Sequence, residues 1–484
     1  MQSAPAVERE RVGPYLVFLF GVLAIATFFE GFDAAMLTIA APDARATLDI
    51  SRGEWGVIFG INRLGMVGSF LLLLFADRWG RRNLMMITIV GFAFFNGMTA
   101  VADDKFEFCA YQFLARLFLT AEVALALIVI GEEFPARLRG RAIALVTSFA
   151  TIGVMVIAKA SPYVLLVDCA TGSLSGGDCM PPDGNWLHSL GTTIAVALQT
   201  VTGRSADGAD WRALYALGLV PAVVGLALRF AMRETQRFSA LKPDAAPTVA
   251  DELRAQYERA KIPWQAGYRS QTWMVTLLWN LVHLVTAPAV AFWVIYARED
   301  LGFTPRVVGD ILFWGYGGGV LGHYLTGYLI DRVGRKPICA GLYVVASVAI
   351  FMLFQSTTLG QQYFWMIGTV FSFAAANTVT NVYAAELFPT AIRATGYAFT
   401  TNLFGRATEV GVPFIVSALL PALGISWSVG VVAFGPIAGA LVVWRYAPET
   451  KGLTLEQIEQ MLTPGHGKSD GADPSHAASA RTGT

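Results

Sequence analysis

The stretch DRVGRK, Asp331 to Lys336, repeats DRWGRR, Asp77 to Arg82, at an offset of 254 residues. A second pair of loops keeps that offset. EEFPARLRG carries Glu132, Pro135 and Arg139, and ELFPTAIRATG carries Glu386, Pro389 and Arg393. Two charged motifs sharing one spacing mark a duplicated unit, the parallel repeat of some membrane transport folds.

Outward from these loops the chain is apolar. Of its 484 residues 55% are hydrophobic and only 14% charged, with a mean hydropathy of +0.53. Soluble domains carry roughly a quarter charged residues. Runs of about 20 apolar residues recur, each long enough to cross hydrocarbon as a helix. A spanning backbone must satisfy its own hydrogen bonds, and the alternating pattern of a membrane barrel is absent. The reading is an all-α polytopic membrane protein with 12 transmembrane helices in two six-helix, pseudo-symmetric bundles. The spans start near residues 15, 55, 84, 108, 142, 211, 271, 307, 338, 363, 397 and 427.

The expected division is an N-terminal segment 1–14, a first bundle 15–232 with a long outer loop 167–210, a linker 233–270, a second bundle 271–447 and a tail 448–484. After about residue 463 the tail is small and polar, the composition of a disordered segment. In the linker, TVADELRAQYERAK reads as an amphipathic helix lying under the bundle or on the headgroups. The polar N-terminus leads into a full-length span rather than a short signal segment.

With the N-terminus inside, the cytoplasmic segments hold 23 Lys and Arg and the outward ones 7. Cationic loops stay cytoplasmic, so both termini are expected inside and the protein in the cell membrane. Net charge is zero, which gives no argument for nucleic acid. The four cysteines, 109, 169, 179 and 339, have no metal-like spacing. Cys169 and Cys179 flank a Gly- and Ser-rich loop and could pair if that loop lies outside.

These motifs resemble the major facilitator superfamily along nearly the whole chain. GYLIDRVGRK, Gly327 to Lys336, is a complete copy of its loop signature; in the first half Leu73 replaces the leading Gly. Glu132, Glu386 and PETKGLTLEQIE from Pro448 are similar to the branch of sugar porters and metabolite:proton symporters. EGFD, Glu30 to Asp33, is similar to the first-span motif of aromatic- and organic-acid:proton symporters. The seventh span carries no Gln after Gln271, unlike sugar porters, and the fifth lacks the motif of drug antiporters. The resemblance implies an inner-gate network of Asp77, Arg78, Gly80, Arg81, Arg82, Glu132 and Arg139, and of Asp331, Arg332, Gly334, Arg335, Lys336, Glu386 and Arg393. It also implies a proton-coupling pair formed by a first-span acid and a fourth-span Arg.

The ionisable side chains expected to be buried within the spans are Glu30, Asp33, Arg63, Arg116, Glu122, Lys159, His283, Arg406 and Glu409. At mid-bilayer each unpaired charge costs roughly 3 kcal/mol, so they pair or face a wet cavity. At about 1.5 Å rise per residue, Asp33 and Arg116 fall at overlapping depths and can meet. A carboxylate beside Arg is ionised, and one deprived of its cation takes a proton. Asp33, Glu30 and Arg116 are therefore the proton-coupling candidates, against a static ion pair. Arg63 is a candidate for a substrate carboxylate, or pairs with Glu30 or Glu122. Arg406 and Glu409 stand three apart, as an intrahelical salt bridge does. Glu122, Arg406, Glu409, Asn280, His283, Tyr316, Asn377 and Asn381 complete the candidate cavity lining, with interhelical hydrogen bonding as the alternative for the Asn and His residues.

The function expected is alternating-access uptake of a small organic or aromatic acid with a proton. The rivals are a sugar or polyol porter and a non-cycling receptor of the same fold. No metal or triad spacing points to an enzyme. The proton gradient is the expected energy source, without a cofactor; the expected partners are a small molecule, protons and the bilayer, on a monomer.

Overall fold

A computed structural model describes residues 13–73, 79–165, 211–235, 268–388 and 396–453, with short stretches between them. Every regular element among the described residues is helical. The first half comprises α1 (Pro14–Ile39), the short α2 (Ala41–Thr47), α3 (Arg52–Leu73), α4 (Arg81–Ala100), α5 (Lys105–Glu133) and α6 (Ala136–Leu165). It ends with α7 (Trp211–Leu217) and α8 (Leu219–Phe230), which meet at Gly218. The second half comprises α9 (Arg269–Ile295), α10 (Pro305–Arg332), α11 (Arg335–Gln355), α12 (Leu359–Glu386), α13 (Ala407–Ala433) and α14 (Gly435–Tyr446).

Among the described residues, seven helical segments are long and apolar enough to cross a membrane: α1, α3, α4, α5, most of α6, α11 and the continuous run Ala407–Tyr446. That last run has 40 residues and is broken at Gly424, whose φ of 67° no helix tolerates. Before the break the chain passes Asn280 and then Gly56; after it Gly435 packs on Leu284 and Gly439 on Leu281. The run therefore doubles back, and the eleventh and twelfth expected spans are its two arms. Helices α9, α10 and α12 are 27 to 28 residues long, and α7 with α8 covers the expected sixth span, broken at Gly218.

Local chemistry sets the ends. Asp104 caps α5 by accepting from the amides of Phe106 and Glu107. Thr304 caps α10, with Pro305 at its first turn. Gly80 and Gly334, the glycines of the two repeated loops, have φ of 86° and 129° and turn the chain into α4 and α11.

The same network closes each repeated loop. Glu234 accepts from the amides of Arg81 and Arg82 at the start of α4, and Glu449 from those of Arg335 and Lys336 at the start of α11. Arg81 bonds Glu132 at 2.9 Å, and Arg335 bonds Glu386 at 3.2 Å and Asp331 at 3.3 Å. Thr235 and Thr450 then donate to the second oxygens of Glu132 and Glu386. These described pairs stay within one half. Arg82 also reaches the Phe230 carbonyl, while Arg332 and Lys336 lie over the rings of Tyr328 and Trp444. Asp77, Arg78, Arg393, Cys169, Cys179, nearly all of loop 167–210, most of the linker helix and the tail lie outside the described residues, as does the Arg139 side chain.

At the other end of the bundles the ion pairs cross between halves. Arg298 bonds Asp43 at 2.5 Å; Arg52 bonds Glu299 at 2.9 Å and Asp300 at 3.0 Å; Arg45 also pairs with Glu299. Lys159 pairs with Asp310 of α10. Lys159 was expected among the buried charges, but its side chain is 47% exposed and lies over the Phe313 ring. It stands near this end of α6, six residues before Leu165.

Candidate substrate and proton site

Glycine decides where the EGFD acids sit. A Cβ on Gly31 would stand 1.8 Å from the Ala150 carbonyl oxygen, and one on Gly153 would stand 2.1 Å from that of Phe28. Helices α1 and α6 thus touch backbone to backbone, which fixes the rotation of α1. Asp33 then points into the first half's interior, 3% exposed. Glu30, one turn away, is a quarter exposed.

Arg116 on α5 faces both acids. Its Nη1 is 3.9 Å from Asp33 Oδ2 and its Nη2 is 3.8 Å from Glu30 Oε1, longer than hydrogen bonds. Asp33 Oδ1 and Arg116 Nε, both buried, make no hydrogen bond. The three side chains are neighbours held apart.

Arg63 on α3 belongs to a second group that joins the halves. Its Nη1 lies 3.1 Å from Glu409 Oε1 on α13. The expectation that Arg63 pairs with Glu30 or Glu122 is corrected: α3 packs along α13, so the nearest carboxylate comes from the other half. Glu409 Oε2 is also 3.3 Å from Arg406 and 4.0 Å from His283 Nδ1. The Arg406–Glu409 pair is therefore one edge of a larger cluster. Phe59 supports the Arg63 guanidinium at 4.8 Å, and Trp279 lies against the His283 ring.

Between the two groups sits Met66. Its sulfur receives Arg63 Nη1 at 3.6 Å, Arg116 Nη2 at 3.7 Å and Arg406 Nη1 at 4.0 Å. A thioether is a weak acceptor for one such donor, let alone three.

Other candidates lie elsewhere. Glu122 is 1% exposed and pairs with Arg229 of α8 and the Thr88 hydroxyl of α4. It is sealed inside the first half, away from Met66. Arg229, not among the residues the sequence singles out, is fully buried at the end of an apolar run. Asn280 bonds the Phe404 carbonyl and the Thr408 amide, so its amide holds the start of α13. Asn381 bonds Asn377 at 2.7 Å and accepts from Tyr397. Tyr316 lines a cavity of about 50 Å³ with Thr38, Trp293, Leu312 and Met366. His323, not singled out in the sequence, bonds Thr378.

The profile described as Major Facilitator Superfamily matches residues 23–167, and that described as Sugar (and other) transporter matches 184–462, more than half the chain. The chain belongs to the latter family, within the superfamily. It is a multi-pass membrane transporter, not an enzyme. Its relatives are distant but full-length. The niacin transporter of Acinetobacter baylyi (strain ATCC 33305 / BD413 / ADP1) is 21% identical over 464 residues, 95% of this chain and 100% of the relative. The gallate transporter of Pseudomonas putida is 21% identical, with 90% of this chain and 86% of the relative covered. The arabinose-proton symporter of Bacillus subtilis (strain 168) is 23% identical, with 95% and 97% covered. Among solved structures, a D-xylose-proton symporter superposes with a TM-score of 0.67 at 17% identity, covering 91% of this transporter and 100% of that chain.

Proposed function

We propose that this transporter takes up a small organic acid together with a proton by alternating access. The observation that carries the reading is Asp33, buried and 3.9 Å from Arg116, with one carboxylate oxygen unbonded. Such an acid changes its proton affinity when a guanidinium less than 1 Å from bonding distance moves. The acid's charge suits the cationic side of the same space, where Arg63, Arg116 and Arg406 converge. Relatives named for niacin and gallate transport agree with a carboxylate cargo; one named for arabinose supports the rival sugar reading.

The excess of Lys and Arg on one side puts both termini in the cytoplasm. The cross-half ion pairs of Asp43, Arg45 and Arg52 with Arg298, Glu299 and Asp300 then close the outer side, and the cargo leaves inward. The motif networks of Arg81 and Arg335, held within each half here, are the parts that latch the inner side in the opposite state. The proton gradient is the energy source, no cofactor takes part, and the working unit is the monomer.

The test is uptake into proteoliposomes of a panel of aromatic and aliphatic acids and sugars, with and without an inward proton gradient. An acid accumulates only with the gradient, and Asp33→Asn abolishes accumulation while equilibrium exchange survives. Accumulation of a sugar alone, or normal uphill uptake by Asp33→Asn, sinks the proposal. Absence of both uptake and exchange favours a non-cycling receptor.

A further inference from the structure

We infer that the substrate's carboxylate is bound where the Met66 sulfur now lies, clamped by Arg63, Arg116 and Arg406. This deepens the proposed function and rests on it for the substrate class. Three guanidinium nitrogens from α3, α5 and the start of α13 converge within 3.6 to 4.0 Å of that one sulfur. Arg63 is 7% and Arg116 4% exposed, and the Nε of each makes no hydrogen bond. Arg63 Nη1 and Arg406 Nη1 also face Glu409, whereas Arg116 Nη2 has no carboxylate within hydrogen-bond distance, and a buried charged donor left without a strong acceptor is costly. A thioether returns little of that, whereas a carboxylate accepts from several N–H groups and suits the planar fork of Arg.

The occupant of this point is also the side chain best able to leave it. Methionine has three rotatable bonds and refits irregular gaps at low cost. Six formal charges surround the space: Arg63, Arg116 and Arg406 against Glu30, Asp33 and Glu409; His283, Tyr215, Tyr316 and Tyr397 are further titratable neighbours. The two sides are unequal in geometry. Glu409 takes up Arg63 and Arg406 at 3.1 and 3.3 Å, while Arg116 touches no carboxylate within bonding distance. An incoming carboxylate therefore gains most from Arg116, and competes with Asp33 for it. Because the three arginines come from both halves, bound anion also bridges α3 and α5 to α13.

The experiment measures binding, without a gradient, to the purified full-length protein by isothermal calorimetry. Nicotinate, benzoate and gallate are the probes, each paired with its neutral primary amide. Acids bind at least tenfold more tightly than their amides. Arg63→Gln and Arg116→Gln weaken acid binding by roughly 10- to 100-fold, the loss of one charge-assisted bond of 1.5–3 kcal/mol. Met66→Glu, which tethers a carboxylate at the same point, abolishes acid binding and leaves the melting temperature at or above that of the wild type. Should Arg63→Gln or Arg116→Gln fail to fold, Arg63→Lys and Arg116→Lys serve, and weaken the acids more than the amides. Equal affinity for acids and amides, no acid binding by the wild type, or wild-type affinity in Met66→Glu overturns the inference. Tight acid binding without gradient-driven accumulation would sink proton coupling and leave this site standing.

Discussion

Two carboxylates of the transporter, Glu122 and Glu409, are both buried and lie in opposite circumstances. Glu122 has Arg229 and Thr88 on its two oxygens, all from the first half. Glu409 draws Arg63 from one half and Arg406 and His283 from the other, beside arginine nitrogens that lack an acceptor. Burial of a charge in a membrane does not by itself mark a site. A saturated pair inside one rigid body is a fastening. A cluster that crosses the moving interface and keeps donors in reserve is a place where something can bind.

Substitutions separate these roles, the largest effect first. Glu122→Gln leaves Arg229 buried without its counter-charge, and breaking such a pair costs about 3–5 kcal/mol. The melting temperature should fall sharply while the folded protein binds acids as the wild type does; lost affinity with an unchanged melt would erase the contrast with Glu409. Gly31→Ala puts a methyl 1.8 Å from the Ala150 oxygen, and overpacking of this kind costs about 1–3 kcal/mol. Since α1 must shift, the variant should also impair gradient-driven uptake more than binding without a gradient. An unaltered transport rate would show that the α1–α6 contact does not position Asp33. The smallest effect is at the strapped end. Glu299→Gln weakens two partly exposed pairs, with Arg45 and Arg52, at about 0–1 kcal/mol each. Spin labels on α2 and α10 should report a modest gain of the state open at that end; no change would mean that helix packing alone closes it.

Much of the fold was legible because membranes restrict the answer. Apolar runs of fixed length must be helices, and the 254-residue offset doubled the unit. The meeting of Asp33 with Arg116 was also legible, since helical rise converts residue number into depth. The partner of Arg63 was not. Depth places it level with several acids, and only the packing of α3 on α13 selects Glu409. The capping pair Glu234 and Glu449 escaped for another reason. RET at 233–235 answers PET at 448–450, but their spacing is 215 because the long loop 167–210, which the 254-residue intervals span, precedes both motifs. Arg229 is not legible because it stands near the end of its apolar run, four residues before Arg233, where a cation reads neither as a loop charge nor as a buried one.

By itself, then, the sequence determined a duplicated helical transporter with acids and arginines at matching depth, because hydrophobic length and helical rise are properties of a single segment. Which charge meets which was decided only by tertiary structure. A glycine contact sets the rotation of α1, and the crossing of two halves brings three guanidinia to one sulfur; neither is a property of any one helix.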